Sequence, residues 1–209
     1  PALEGYGLEL PKFGEVAAIE ALRSLSGRLA LRFMSSPTRT AEVVGLLLAR
    51  WLLEHVGVLG GRIVIPLDAH RSWFGARGED RSQQRADLLL LSFDGKTRTI
   101  FGKVVEVKLR EDLPGPARTN LYRKMRSQSE NTIDVLSSLF DLQRFPIPRA
   151  DAALRAKELS TALAFYIRRA KRYGLLGSAE AEVALDFVQD LDAGYNLELS
   201  MVGVVFERA

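Results

Sequence analysis

Residues 86–109 read ADLLLLSFDGKTRTIFGKVVEVKL. Two apolar runs flank Asp94-Gly95-Lys96, the punctuation of a β-hairpin. The first run, Ala86 to Phe93, contains four successive leucines, Leu88 to Leu91, so both of its faces are apolar. Such a strand belongs in the middle of a sheet covered on both sides. The second run, Thr99 to Leu109, alternates near its end. Glu106 and Lys108 are two apart and share one face, while Val105, Val107 and Leu109 share the other. A carboxylate and an ammonium thus emerge side by side from an otherwise apolar strand, where they are costly to bury unless paired or bound to something. The other reading of Glu-x-Lys is an exposed strand pair that contributes little.

Where Asp87 falls depends on the register of the hairpin. A five-residue loop from Asp94 to Arg98 sets Asp87 opposite Val105 or Glu106. A tight turn at Asp94-Gly95 sets it opposite Gly102 instead. A shared site needs the longer loop or a bulge, and Gly102 is a place for one.

The flanking pattern is helical. Val16, Ile19, Leu22, Leu25 and Leu29 recur at spacings of three and four and predict a helix over 13–33. Thr38 then caps a second helix running to about Val56 and apolar on most sides. Arg62 to Leu67 is rich in branched residues and reads as a strand. A polar loop is expected from Asp68 to Gln84. After Pro114-Gly115-Pro116, helices are expected from Arg118 to about Leu142, Ala152 to Tyr173 and Ala179 to Leu191, and a strand from Asn196 to Phe206. On the first of these helices Leu121, Met125, Ile133, Leu136 and Leu139 or Phe140 form the inner face. The order α-α-β-β-β-α-α-α-β is that of a layered α/β domain.

Composition narrows the chemistry. The 209 residues, 47% hydrophobic, suffice for one sizeable core, and no linker or low-complexity tract divides them. One domain over 1–209 is expected, with a helical N-terminal extension over about 1–36. There is no cysteine and there are two histidines, which excludes disulfides, thiolate zinc sites and multi-histidine centres. A metal held here is held by carboxylates, so Mg²⁺ or Mn²⁺ is the expected cofactor. Asp87 and Glu106 would hold it, with the Val107 carbonyl as a further ligand. Lys108 would orient a bound water or neutralise charge on a phosphate. The net charge of +3 permits a polyanionic partner without requiring one. The apolar run Val43 to Leu53 is too short to span a bilayer. No signal-peptide pattern is seen, so a cytoplasmic location is expected. The start at Pro1 suggests a domain cut from a larger protein or a trimmed terminus.

Asp87, Glu106 and Lys108 resemble the signature of the PD-(D/E)xK nuclease superfamily, an acid on one strand followed by Glu-x-Lys on the next. The order of elements over Thr38 to Leu142, with the last strand, is similar to that superfamily's αβββαβ core. The resemblance implies a restriction-endonuclease-like mixed sheet flanked by helices, with extra N-terminal and C-terminal helices. It also implies a DNA substrate, leaving RNA open, and catalytic roles for Asp87, Glu106 and Lys108. Relatives often place another acid on the helix before the first strand, and Glu42 matches it; an acid there is equally a partner for the helix dipole. One subgroup carries Gln and, four residues on, Tyr on the following helix. Gln128 matches the first, but Thr132 stands at the second position. Leu67-Asp68-Ala-His70, with the motifs above, also resembles nuclease-like modules of large ATPases in bacterial defence and restriction systems.

Further candidates carry two readings each. Asp68 is a metal ligand or a turn cap, and His70 a base or a loop hydrogen-bonder. Trp73 and Phe74 stack on a base or close the loop over the core. Arg110, Arg118, Arg123 and Lys124 grip phosphates or form a solvated helix face. The expected function is a metal-dependent nuclease, acting as an endo- or exonuclease. The alternative is a nuclease-fold module that binds nucleic acid or a partner protein without cutting. A homodimer or attachment to an ATPase/helicase module would fit either.

Overall fold

The computed structural model describes residues 20, 23, 40–75, 85–111, 114–144, 147 and 149–208. The helix expected over 13–33 lies outside these, apart from Glu20 and Arg23, which are helical. The described elements are α1 (Thr40–His55), β1 (Ile63–Pro66), β2 (Leu88–Asp94), β3 (Thr99–Glu111), α2 (Gly115–Phe140), α3 (Ala152–Arg172), α4 (Ser178–Gln189) and β4 (Asn196–Arg208). They make an α/β fold around one four-stranded mixed sheet of order β1-β2-β3-β4. The first three strands form an antiparallel meander and β4 runs parallel to β3. Joining parallel neighbours requires a crossover, here provided by α2, α3 and α4.

The leucine run sits where its two apolar faces require. Leu89 and Leu91 join Ile63, Ile65, Ile100 and Val104 in a core roofed by Leu136 and Phe140 of α2, Leu163 and Ile167 of α3 and Val188 of α4. Leu88 and Leu90 face the other way, with Val105, Val107, Val204 and Phe206, against Leu46, Leu47 and Leu53 of α1. Each such side chain contributes about 1.5–3 kcal/mol on burial. Pro66, which cannot donate to a ladder, ends β1 at the edge of the sheet.

The hairpin differs in detail from expectation. Asp94 pairs with Thr99, so the connection is four residues, 95–98, rather than five. Asp94 organises it, accepting from the Lys96 amide at 2.8 Å and the Thr97 hydroxyl at 2.9 Å. Arg98 takes a left-handed φ of 50°. Its guanidinium holds that conformation by donating to the Gly194 carbonyl at 2.7 Å and pairing with Asp190 at 3.1 Å. The Gly102 bulge is absent, because Leu91 pairs with Gly102 in unbroken register. The glycine has another purpose: a Cβ there would stand 2.3 Å from Leu199 Cδ2, so its absence lets β4's side chain in.

The expected polar loop also contains structure. Leu67–Phe74 form two short 3-10 turns, kinked at His70, and bury Leu67, Trp73 and Phe74. Trp73 packs edge-on to Phe140, which settles both aromatics as core. His70 stacks on Trp73 and lies 2.9 Å from the Tyr166 hydroxyl, the hydrogen-bonding role rather than that of a base. Among the described residues, no helix is long and apolar enough to cross a membrane.

Candidate metal and phosphate site

Register decides the site. Leu88 pairs with Val105, so Asp87, one residue earlier, arrives beside Glu106. Its backbone is tied on both sides: its amide donates to the Val105 carbonyl at 3.1 Å, and its carbonyl accepts from Leu67 at 3.0 Å. Its carboxylate Oδ2 accepts from the Val107 amide at 2.8 Å. A strand residue's amide and carbonyl leave the same edge, so the Val107 carbonyl shares the edge on which Asp87 sits. β2 begins at Leu88 while β3 continues to Glu111. The site therefore occupies the step where a central strand outruns its neighbour.

Glu106 is fully buried, at 0% exposure. Its carboxylate has the Lys108 ammonium and the Asp87 carboxylate as its charged neighbours. Its counter-ion is the Lys108 ammonium, which lies against Oε1 from a side chain 20% exposed. An exposed, weakly coupled strand pair is thereby excluded. Burial, and after it the charge of Asp87, push the Glu106 carboxyl up to about 7, against the opposing pull of Lys108.

Beside Asp87 and Lys108 a cleft of about 190 Å³ opens, lined also by Gly45 and Leu46 of α1 and by Val107, Leu109 and Arg110, with Glu106 buried behind its wall. It holds the volume of about six waters, enough for a phosphate group and its hydration. Gly45 brings the α1 backbone close: a Cβ there would lie 3.5 Å from that of Leu109.

Two carboxylates and a neighbouring main-chain carbonyl fit Mg²⁺ or Mn²⁺, which keep several waters and complete their shell with substrate phosphate. The buried Glu106 carboxyl, crowded by the Asp87 charge, is the group that such an ion would stabilise in its ionised form. Among the described residues no three His, Cys, Asp or Glu side chains gather into a metal-holding group. Glu42 lies in α1, but its side chain is outside the described residues.

The remaining candidates divide. Asp68 does not join the carboxylates; it pairs with Arg71 at 3.2 Å and with Arg85, anchoring the segment that leads into Asp87. Arg110 lines the cleft. Arg118 lies at the same end of the sheet, paired at 2.7 Å with Glu207, the register partner of Arg110. Arg123 donates to Asn120 at 3.0 Å, and both Arg123 and Lys124 are exposed on α2.

Gln128 is buried on the inner face of α2, together with Ser129 and Thr132. Ser129 went unrecognised in the sequence, and Thr132 was read only as a departure from the Gln-Tyr pattern. Ile133, expected on that face, is only partly buried. The residues that face inward are Met125, Ser129, Thr132, Leu136 and Phe140, at steps of three and four. Two hydroxyls within a stripe otherwise apolar were the available signal. Thr132 accepts from the Ala86 amide at 2.8 Å and donates to the Gln128 carbonyl at 2.8 Å.

The chain matches no protein-family model, and neither the curated proteins nor the solved structures include a significant match to it.

Proposed function

We propose that this chain is a metal-dependent phosphodiesterase domain acting on nucleic acid, DNA in the first instance, with a restriction-endonuclease-like core of the PD-(D/E)xK type. The observation that carries the reading is Glu106: a fully buried carboxyl on a central strand, pushed up by burial and by the Asp87 charge beside it, with the Lys108 ammonium as its counter-ion. Burying this carboxyl is costly even with Lys108 beside it, because desolvation outweighs the ion pair. A perturbed carboxyl next to residues that line a cleft, here Asp87 and Lys108, is common where chemistry is done. The order α1-β1-β2-β3-α2-β4 supports the reading further, with α3 and α4 inserted before the last strand.

Asp87 and Glu106 would hold the divalent ion, with the Val107 carbonyl beside them and Glu42 as a further candidate ligand. A bound Mg²⁺ or Mn²⁺ supplies an acidified water and a charge sink for the phosphate. Lys108, released from Glu106, neutralises charge on the phosphate oxygens. Arg110 at the cleft wall contacts a flanking phosphate, and Arg118, Arg123 and Lys124 extend the basic surface along α2. None of these roles requires a covalent intermediate. A place in bacterial defence, as a module attached to an ATPase or as a homodimer, is compatible with this chemistry.

The test incubates purified protein with supercoiled plasmid, linear single-stranded DNA and RNA in Mg²⁺, Mn²⁺ or chelator. The wild type is run beside Glu106→Gln and Lys108→Ala. Metal-dependent cleavage lost in both variants is the expected result. Equal cleavage by all three proteins would overturn the assignment, and binding without cleavage would identify a nuclease-fold module that no longer cuts.

A further inference from the structure

We infer that Thr132 is a positioning residue for the Asp87 carboxylate, acting across the interface between α2 and the start of β2; this rests on the reading of Asp87 as a metal ligand. Thr132 is fully buried. Its hydroxyl accepts the Ala86 amide at 2.8 Å and donates to the Gln128 carbonyl one turn back at 2.8 Å. Both capacities of the hydroxyl are thus used, and its orientation is fixed. Ala86 lies before β2 begins and is buried, so its amide has no ladder partner there and needs another acceptor. A hydroxyl on α2 meets that need one residue from the acid.

The consequence follows from covalent geometry. The Ala86 carbonyl carbon and the Asp87 amide belong to one planar peptide. Holding the Ala86 amide on one side and the Asp87 amide on Val105 on the other leaves the Ala86 backbone little rotation. The Asp87 side chain is thereby aimed along the β3 edge, where its Oδ2 meets the Val107 amide at 2.8 Å. Placement of a ligand carboxylate within a fraction of an ångström is what such outer contacts supply at metal sites. The Thr132 hydroxyl bonds the Ala86 amide and the Gln128 carbonyl, and Thr132 does not line the cleft. The hydrogen-bonded route from Thr132 to the carboxylate runs through Ala86 and Asp87.

The experiment compares wild type, Thr132→Ser and Thr132→Val by amide hydrogen exchange and by Mn²⁺ titration calorimetry. Serine keeps the hydroxyl, whereas valine keeps the shape without it. Thr132→Val is expected to speed exchange of the Val107 amide about tenfold, the scale of one lost hydrogen bond, with Leu90 unchanged. It should also weaken Mn²⁺ binding about tenfold, and Thr132→Ser should restore both. If Thr132→Val does not fold, Thr132→Cys replaces it, as the thiol is only a weak acceptor. Unchanged Val107 exchange in the hydroxyl-less variant overturns the inference. Equal damage from serine and valine overturns it too, because packing would then be the cause. The two readings separate cleanly: a wild type that binds no Mn²⁺ removes the metal assignment, while the exchange arm still decides whether Thr132 holds Asp87.

Discussion

Replacing Glu106 with glutamine tests the electrostatics of the site without substrate. A carboxyl held at about 7 against its ordinary 4.5 binds a proton in the folded chain that the unfolded chain releases. Between pH 4.5 and 7 the folded state therefore carries more protons, and stability falls as pH rises. The contribution is complete below 4.5 and lost above about 7. Two and a half pH units at about 1.36 kcal/mol each amount to about 3 kcal/mol. Glutamine mimics the protonated carboxyl in shape and has no charge to desolvate. In chelator, Glu106→Gln should match the wild type near pH 4.5 and exceed it by about 3 kcal/mol at pH 8. Urea unfolding at pH 5, 6, 7 and 8, with midpoints converted through the common slope, reads this directly. Parallel wild-type and variant profiles across that range would refute the reasoning, because Glu106 would then be ionised in both states or in neither.

Three other outcomes are expected. Gly45→Leu fills the cleft from the α1 side without altering a carboxylate; it should abolish cleavage while leaving Mn²⁺ affinity within about threefold of wild type in calorimetry. Asp68→Asn weakens a part-buried ion pair with Arg85 and an exposed one with Arg71, so a loss of about 1–3 kcal/mol is expected in urea unfolding. Its Mn²⁺ affinity should be unchanged, and a large loss would return Asp68 to the ligand set. Leu90→Ala, in the fully buried centre of β2, should cost about 2–5 kcal/mol in the same assay.

The sheet was legible because its signals were local. Leu88–Leu91 announced a strand covered on both faces, and the alternation from Val104 to Leu109 put Glu106 and Lys108 together. The register was not legible. Turn residues alone allow several loop lengths, and the four-residue connection depends on Arg98 reaching Asp190 and Gly194, some ninety residues away. Gly102 was misread for a related reason: its neighbour Leu199 comes from the last strand, which no local pattern reveals. Asp68 was ambiguous because metal ligation and ion pairing use the same carboxylate, and only the position of Arg85 separates them. Thr132 was read only as a departure from a Gln-Tyr pattern, because its buried hydroxyl acquires meaning only once Ala86 is seen beside it.

We hold that half-buried Asp87 and buried Glu106 together take a divalent cation. Titration of metal-free protein with Mn²⁺ at pH 8, followed by calorimetry, measures this without reference to any substrate. The account predicts saturable binding by the wild type, lost in Glu106→Gln and in Asp87→Asn and retained in Lys108→Ala. Absence of binding in the wild type, or undiminished binding in both carboxylate variants, would contradict it.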